Sequence, residues 1–356
     1  MTTLFDSLKL GNIELKNRIV MAPMTRSRAN DEGVQPEFAA EYYAQRASGG
    51  LLITEAVNVS PMSKGYVRTP GIYTAEQIES WKKVTEAVHA KDGKIFMQIF
   101  HTGRIALPDF LPDNAQPVAP SAVKATGQNY TDGGMKDFVV PRELTIEEIK
   151  QTVQDFGKAA KNAIEAGFDG VELHGANGYL VHQFLGTNTN LRTDEYGGSI
   201  ENRARFALEV LDAMIAEIGA ERVGVRFSPA GGFNDMQETD AEELYKYLFP
   251  EVSRRKLAYL HIGTFDFSKD WHAILRPQYE GVYFAGVGFT KERAEILLAD
   301  GGAEAIVFGT SFLANPDLPE RLANNIELNP PDQTTFYTPG KKGYTDYPKY
   351  AQTATI

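Results

Sequence analysis

The chain has 356 residues, more than the roughly 100–200 of an ordinary domain, which allows two domains or one large barrel. Hydrophobic residues make up 42% and charged residues 23%, and these globular values exclude wholesale disorder, collagen-like repeats and a coiled-coil rod. The 36 basic and 47 acidic residues give a net charge of −11, which disfavours general binding to nucleic acid or anionic membranes. Because there is no cysteine, disulfides, Cys-ligated zinc, iron–sulfur clusters and thiol nucleophiles are excluded.

The first residues, Met1 to Asp6, do not have the basic region and long apolar run of a signal peptide. No stretch approaches the ~20 uninterrupted apolar residues of a membrane-spanning helix. We therefore expect a soluble, cytoplasmic protein.

Short apolar runs alternate with longer segments of helical period. Eight runs are predicted strands: Arg18–Met21, Leu51–Val57, Ile95–Phe100, Gly170–His174, Val223–Phe227, Leu257–Ile262, Val282–Ala285 and Ala305–Phe308. The predicted helices include Ala75–Lys91, Thr145–Ala166 with a capping box at Thr145 and Glu148, Ser199–Ile218, Ala241–Arg255 and Thr290–Ala299. Eight alternating units predict an α/β fold, a single (β/α)8 TIM barrel spanning residues 1–356.

The longest insertion in this pattern runs from Thr102 to about Glu143, after the third strand, and is rich in Pro, Gly, Asn and Asp. We expect a lid or binding element, with disorder as the alternative, and a hairpin at Phe138–Pro141. The C-terminal segment, about 326–356, is expected to pack near the barrel mouth.

Barrel active sites form where strands end, so residues at those ends are the first candidates for chemistry. No lysine occupies a predicted strand end, which argues against a Schiff-base aldolase. No metal cluster is evident among the histidines and carboxylates, and His182, eight residues after His174, has no acidic partner at metal spacing. We therefore predict no metal site.

The fourth predicted strand ends in His174-Gly175-Ala176-Asn177-Gly178-Tyr179. His174 and Asn177 could hydrogen-bond one carbonyl or nitro oxygen and stabilise negative charge there. Tyr179, protonated at neutral pH, suits a general acid. A turn with a structural histidine remains the alternative interpretation.

Two polar residues and two glycine-containing segments at other strand ends suggest an anionic heteroaromatic ligand with a phosphate. Gln98 and Arg226 end the third and fifth strands, where an amide and a guanidinium can recognise a ring edge and stabilise its reduced, anionic form. They could instead bond to each other. The glycines of Gly286-Val287-Gly288 and Gly309-Thr310 lie at the usual phosphate position of a barrel. His101 could line the pocket, whereas His89 has the character of helix surface.

Taken together, these segments resemble the old yellow enzyme family of FMN-dependent ene-reductases over nearly the whole chain. The resemblance rests on Lys16-Asn17-Arg18 through Ala22-Pro23-Met24-Thr25-Arg26, Glu41 to Arg46, His174 to Tyr179, Arg192 to Arg203, Asn315-Pro316-Asp317-Leu318 and Gly343 to Pro348. The threonine at position 25 and the absence of cysteine match the FMN-only, threonine-type branch.

The resemblance implies bound FMN that NADPH or NADH reduces before leaving, in a ping-pong mechanism. Hydride then reaches the β-carbon of a small alkene activated by a carbonyl or nitro group, and Tyr179 protonates the α-carbon. His174 and Asn177 would hold the activating group. The residues implied to contact the cofactor are Pro23, Met24, Thr25, Ala56, Gln98, Arg226, Gly286, Val287, Gly309 and Thr310. The residues implied to form the walls of the substrate pocket are Tyr66, Phe100, Phe233 and Tyr337.

The implied partner is a small molecule rather than nucleic acid or membrane, and the implied assembly is a monomer or homodimer.

Two residues depart from the family pattern. Thr310 stands where the family normally has arginine, so a charge-assisted phosphate contact is missing and weaker FMN retention is expected. Lys291 and Arg293 are candidates to compensate. Phe100 stands where many relatives have tryptophan, which would enlarge the pocket.

Two alternative functions remain open. The same site could reduce nitro or nitrate-ester groups or isomerise a substrate through the flavin redox cycle. More remotely, the Thr310 departure could mark a barrel that has lost flavin and serves as a binding or scaffold protein.

Overall fold

The computed structural model describes residues 1–350, and its centre is a closed barrel of eight parallel strands. Strands β1 to β8 are, in chain order, Ile19–Met21, Leu51–Ile53, Ile95–Phe100, Gly170–His174, Val223–Phe227, Tyr259–Ile262, Tyr283–Gly286 and Ala305–Phe308. The ring closes because β8 pairs with β1, with Phe308 opposite Met21. The predicted TIM barrel is confirmed. The second strand is shorter than predicted, since it ends at Ile53 and Val57–Asn58 pairs separately with β3.

Helices surround the barrel. Within residues 1–350 the α-helices, α1 to α10, are Phe38–Gln45, Ala75–His89, Ile146–Glu165, Leu180–Leu185, Ile200–Ile218, Ala241–Arg254, Trp271–Leu275, Lys291–Ala299, Thr310–Ala314 and Leu318–Asn324. The predicted capping box is present, because the Thr145 hydroxyl accepts from Glu148 N and the Glu148 carboxylate accepts from Thr145 N. Short 3-10 turns occupy Pro61–Ser63, Pro108–Phe110, Pro112–Asn114, Ala220–Arg222, Phe233–Asp235, Arg276–Gln278 and Gln333–Thr335.

The interior of the barrel is a packed core with a polar upper end. A hairpin of Leu8–Leu10 and Ile13–Leu15 packs its leucines against the bottom of the barrel. Gln98, Glu172, Gly224 and Tyr259 are register neighbours in one row, and His174, Arg226 and His261 form another row further along β4, β5 and β6. Register neighbours project to the same side of a sheet, so strand pairing alone groups these polar side chains inside the barrel.

The insertion after β3 contains short elements of its own. Val118–Ala119 pairs with Arg142–Glu143, and Gln128–Thr131 forms a hairpin with Gly134–Asp137. The hairpin predicted at Phe138–Pro141 is therefore wrong. Asp132-Gly133 supplies the tight turn, and Phe138 is instead buried beside the barrel.

The end of the described chain folds back over the barrel mouth. Arg28, which follows β1, donates to the carbonyls of Thr335, Phe336 and Gly340 and so holds this segment in place. Residues 351–356 of the predicted C-terminal segment lie outside the described residues. Across residues 1–350, no helix combines the length and apolar character needed to cross a membrane.

Candidate active site

Side chains from several strand ends meet at a cavity in the mouth of the barrel. This inner cavity, of about 250 Å³, is lined by Pro23, Met24, Thr25, Ala56, Gln98, His174, Asn177, Tyr179, Arg226, Phe233, Thr310, Leu313, Phe336 and Tyr337. An adjoining side cavity of about 380 Å³ shares Pro23, Met24, Asn177, Arg226, Phe233 and Thr310 with it, and includes Gly286, Val287, Gly288 and Gly309. An outer channel of about 570 Å³ shares Thr25, Tyr179, Phe233 and Tyr337 with the inner cavity.

The loop after β4 is built on an Asn-Gly turn. Asn177 and Gly178 both have left-handed backbone conformations, with φ of +56° and +77°. Asn177 N donates to Ser228 Oγ at 2.9 Å and Gly178 N donates to His182 Nδ1 at 2.9 Å, so the turn is braced from both sides. His182 Nε2 lies 3.1 Å from Glu238 Oε1 but makes no hydrogen bond within residues 1–350, so this histidine braces the loop through Nδ1.

His174 is a neutral hydrogen-bond donor. Burial, with the nearby positive charge of Arg226, holds the pKa of His174 well below its ordinary value, so the ring is uncharged at neutral pH. Its Nδ1 accepts from Ala176 N at 3.3 Å, which places the proton on Nε2. Within the described residues, Asn177 Oδ1 is buried without a hydrogen-bond partner. An imidazole N–H and an amide thus remain available to a ligand in one cavity.

Tyr179 has an aromatic and a polar side. Its ring contacts Phe100 and His174 edge to face, with centroid distances of 5.2 and 4.9 Å. Its hydroxyl lies 3.0 Å from the hydroxyl of Tyr66. Burial raises the pKa of Tyr179, so its proton stays on the oxygen at neutral pH.

Gln98 and Arg226 form the polar floor of the inner cavity. Arg226 lies between His174 and His261 in strand register, and its Nε is buried without a hydrogen-bond partner among residues 1–350. Burial lowers the pKa of Arg226, yet a guanidinium remains charged. A buried cation and an unused N–H at a cavity wall are the features expected where an anionic ligand binds.

The side cavity has a glycine-rich wall. Val287 and Gly288 have φ of +73° and +75°, and a β-branched residue in the left-handed region is rare and strained. A Cβ on Gly309 would come within 3.9 Å of Ala22 and Met24 and would fill part of this space. Among the two candidate cations, Arg293 donates to Gly288 O at 2.7 Å, whereas Lys291 bonds Asn325 at 2.7 Å. Arg293 is therefore the one attached to the glycine-rich loop.

Comparison with known proteins agrees with this geometry. Residues 3–329 match the model of the NADH:flavin oxidoreductase / NADH oxidase family. The chain belongs to this family. It is 46% identical to a probable flavin mononucleotide-dependent alkene reductase of Leishmania infantum over 96% of both chains, and 46% identical to 12-oxophytodienoate reductase 1 of Oryza sativa subsp. japonica over 97% of this chain and 92% of the relative.

Solved structures of the same family share the fold closely. Morphinone reductase in complex with tetrahydroNAD superposes with a TM-score of 0.95 at 46% identity, covering 98% of each chain. The old yellow enzyme homologue from Zymomonas mobilis gives a TM-score of 0.94 at 41% identity, covering 97% of this chain and 99% of the other. The resemblance to the old yellow enzyme family is confirmed, and the chain is an NAD(P)H-dependent flavin oxidoreductase.

The residues present fit the FMN of a flavin oxidoreductase. The inner and side cavities adjoin each other at six shared lining residues, which suits a ligand with a ring at one end and a phosphate at the other. Arg226 Nε, a buried donor at the wall of both cavities, has no hydrogen-bond partner within residues 1–350. All ten residues predicted to contact FMN line one or both of these cavities, and they are Pro23, Met24, Thr25, Ala56, Gln98, Arg226, Gly286, Val287, Gly309 and Thr310.

The predicted pocket walls divide into two groups. Phe233 and Tyr337 line both the inner cavity and the outer channel, and Tyr66 lines the channel. Phe100 lies behind Tyr179 in a small apolar cluster and is not one of the residues that line these cavities. His101 is also buried, and its Nδ1 accepts from Gly103 N.

Sequence reasoning missed several residues around this flavin site. Asn234 donates to the Asn177 carbonyl at 2.8 Å, and Tyr130 of the insertion hairpin lines the outer channel. His261 lines the side cavity and contacts Glu172 in the barrel interior. Glu172 and His261 were visible at or near strand ends, in Glu172-Leu173-His174 and His261-Ile262-Gly263, but their pairing depends on β4 and β6 flanking the same strand, β5, in the barrel.

Proposed function

We propose that this flavin oxidoreductase binds FMN across the inner and side cavities and uses reduced nicotinamide to reduce the C=C bond of a small α,β-unsaturated carbonyl or nitro compound. The observation that carries the proposal is the neutral N–H of His174 and the hydroxyl of Tyr179 in one cavity with Arg226. The alkene reductase and 12-oxophytodienoate reductase names of relatives at 46% identity support it.

The ring of FMN would lie against Pro23, Thr25, Ala56, Gln98 and Arg226, and its phosphate against the glycine-rich wall of the side cavity. Bound FMN supplies a ring that accepts hydride from reduced nicotinamide and passes it to the substrate. Arg226 would hold the negative charge that the ring gains on reduction, since a buried guanidinium stabilises an anion beside it. Thr25 would hydrogen-bond the edge of the ring.

His174 and Asn177 would hold the electron-withdrawing group of the substrate. Because His174 is neutral with its proton on Nε2, it donates a hydrogen bond without giving up a proton, and donors aimed at a carbonyl or nitro oxygen stabilise the charge that develops when hydride arrives. This arrangement polarises the alkene and orients its β-carbon.

Tyr179 would then protonate the α-carbon. A phenol with a raised pKa keeps its proton until a stronger base forms beside it, and the carbanion-like carbon left by hydride addition is such a base. Tyr66, with its hydroxyl 3.0 Å away, can donate to the phenolate oxygen that remains.

Phe233 and Tyr337 would govern substrate choice. They are 56% and 61% exposed and lie between the inner cavity and the outer channel. A substrate must pass them, so their bulk would set its size and approach. The net charge of −11 supports a small-molecule partner rather than nucleic acid.

Anaerobic reduction tests the proposal. The purified protein should be yellow, lose its colour with NADPH or NADH, and regain it when an activated alkene is added; a colourless protein that takes up no FMN would exclude it. With deuterated reduced nicotinamide, net alkene reduction places deuterium on the β-carbon of the product. Isomerisation would leave no net reduction, and nitro or nitrate-ester reduction would leave the alkene unchanged.

A further inference from the structure

Glu172 of β4 is a fully buried carboxylate inside the barrel, below the cavity and not among the residues that line it. Its Oε1 accepts from Gln98 Nε2 at 2.7 Å, and its Oε2 lies 3.0 Å from His261 Nδ1. A buried charge is costly unless it is paired and hydrogen-bonded, and these two contacts act together with the nearby Arg226 and Tyr259 to offset that cost. Both partners face cavities that we assign to FMN.

The contact with Gln98 fixes which way its side-chain amide points. An ionised carboxylate only accepts hydrogen bonds, so the amide must turn its NH₂ group toward Glu172. The carbonyl Oε1 of Gln98 is then the acceptor left for a ligand in the inner cavity. The backbone N of Gln98 donates to Thr54 Oγ1 at 3.1 Å, which fixes the base of the side chain.

The contact with His261 fixes a tautomer in the same way. Because the carboxylate can only accept, Nδ1 must carry the proton, and in a neutral imidazole Nε2 is then a bare acceptor. Burial lowers the pKa of His261 and keeps the ring neutral. A Cβ built on Gly286 would stand 3.0 Å from Nε2, so the glycine leaves the space over this nitrogen open to the side cavity.

Glu172 also acts on Arg226 through charge. Arg226 lies between His174 and His261 in register, one inward-facing position beyond the row of Glu172. The attraction between this carboxylate and the guanidinium supports the charged form of Arg226 against its burial. One carboxylate therefore faces three residues of the cavity walls.

We propose that Glu172 is a positioning residue of the flavin site, which orients Gln98 and His261 as hydrogen-bond acceptors toward FMN and balances the charge of Arg226. The inference rests on the proposed function, because it takes FMN as the ligand of these cavities. Two acceptors match the ring N–H and the ribityl hydroxyls of FMN, which are donors. His261 becomes a further FMN contact by this proposal.

The test uses the isosteric variant Glu172→Gln and measures FMN dissociation constants and the two-electron midpoint potential of the bound cofactor. The new amide keeps one acceptor oxygen and places an NH₂ donor at the other position, so either Gln98 or His261 must turn over, and we expect about tenfold weaker binding of oxidised FMN. Removing the negative charge of Glu172 also favours binding of the reduced, anionic ring of FMN over the oxidised ring. If the reduced form keeps its affinity, the midpoint potential rises by about 30 mV, which is that tenfold ratio for two electrons.

Asp317→Asn is the matched control, since Asp317 is also a buried carboxylate but pairs with Arg321, outside the cavity walls. This variant should change neither value. Equal FMN affinity and potential in Glu172→Gln, Asp317→Asn and the wild type would overturn the proposal.

His261→Asn provides a second measurement should Glu172→Gln fail to fold. Asparagine can still donate to Glu172 but has no group at the position of Nε2, so FMN binding should weaken several-fold while the charge at Glu172 and the potential are kept. Unchanged FMN affinity in His261→Asn would overturn the role of His261. A wild-type protein that binds no FMN would instead contradict the proposed function.

Discussion

Restoring a cation at position 310 should tighten FMN binding. Thr310 is an exposed residue of the side cavity and lies directly after Gly309. Arg226 also lines this cavity, but we assign it to the ring of FMN and not to the phosphate. Two unit charges about 4 Å apart attract by about 1 kcal/mol in water and about 4 kcal/mol at a protein surface of lower effective dielectric. Because position 310 is exposed, the lower part of that range applies, and we expect Thr310→Arg to gain about 1.4 kcal/mol, or tenfold in the FMN dissociation constant.

The assay is titration of the protein, stripped of cofactor, with FMN, following flavin fluorescence. Thr310→Gln is the matched control, because it lengthens the side chain without adding charge and should gain little. The gain from Thr310→Arg should shrink as salt is added, since screening weakens exposed charge pairs. An unchanged dissociation constant at low salt would refute the reasoning and would mean that Arg293, bonded to Gly288 O, already supplies the missing charge.

Three further outcomes test the site and the fold. Tyr179→Phe should slow alkene reduction by about 10²- to 10⁴-fold in stopped flow while flavin reduction by NADPH stays intact, and equal loss of both steps would contradict its role as proton donor. Tyr66→Phe should slow the same step less, because it removes only the partner of the Tyr179 hydroxyl, and an effect as large as that of Tyr179→Phe would mean that Tyr66 is the donor. Burial lowers the pKa of His101 to about 3, so below pH 6.5 the unfolded chain binds a proton that the folded chain does not, and stability falls. The free energy of unfolding measured with urea should therefore fall by about 2 kcal/mol between pH 7 and pH 5 from this residue, and His101→Gln should flatten that slope.

Local patterns determined the elements of this protein. Apolar runs of strand length and caps such as Thr145 are set by residues within a few positions of each other, so the eight strands and five named helices could be predicted, with differences at their ends. The hairpin in the insertion was misplaced because Phe138 is apolar for packing beside the barrel and not for pairing in a strand. A turn at Asp132-Gly133 was the better local signal.

The sequence also identified the residues at the cavity, because parallel strands in a barrel bring their carboxyl ends to one mouth wherever those strands lie in the chain. Gln98, His174 and Arg226 could be selected on that ground alone. The sequence did not show how they are oriented. The tautomer of His174, the amide direction of Gln98 and the link from Glu172 to His261 depend on contacts between residues 74 or more positions apart, or on backbone N–H groups in turns.

Residue identity thus fixed the family, the barrel and the set of polar groups, since these follow from local pattern and strand-end position. The tertiary structure alone decided which groups are buried, which atoms remain without partners, and that Phe100 stands behind Tyr179 while Tyr66 meets its hydroxyl. Burial and pairing set protonation and hydrogen-bond direction, and both arise only when distant strands close into a ring.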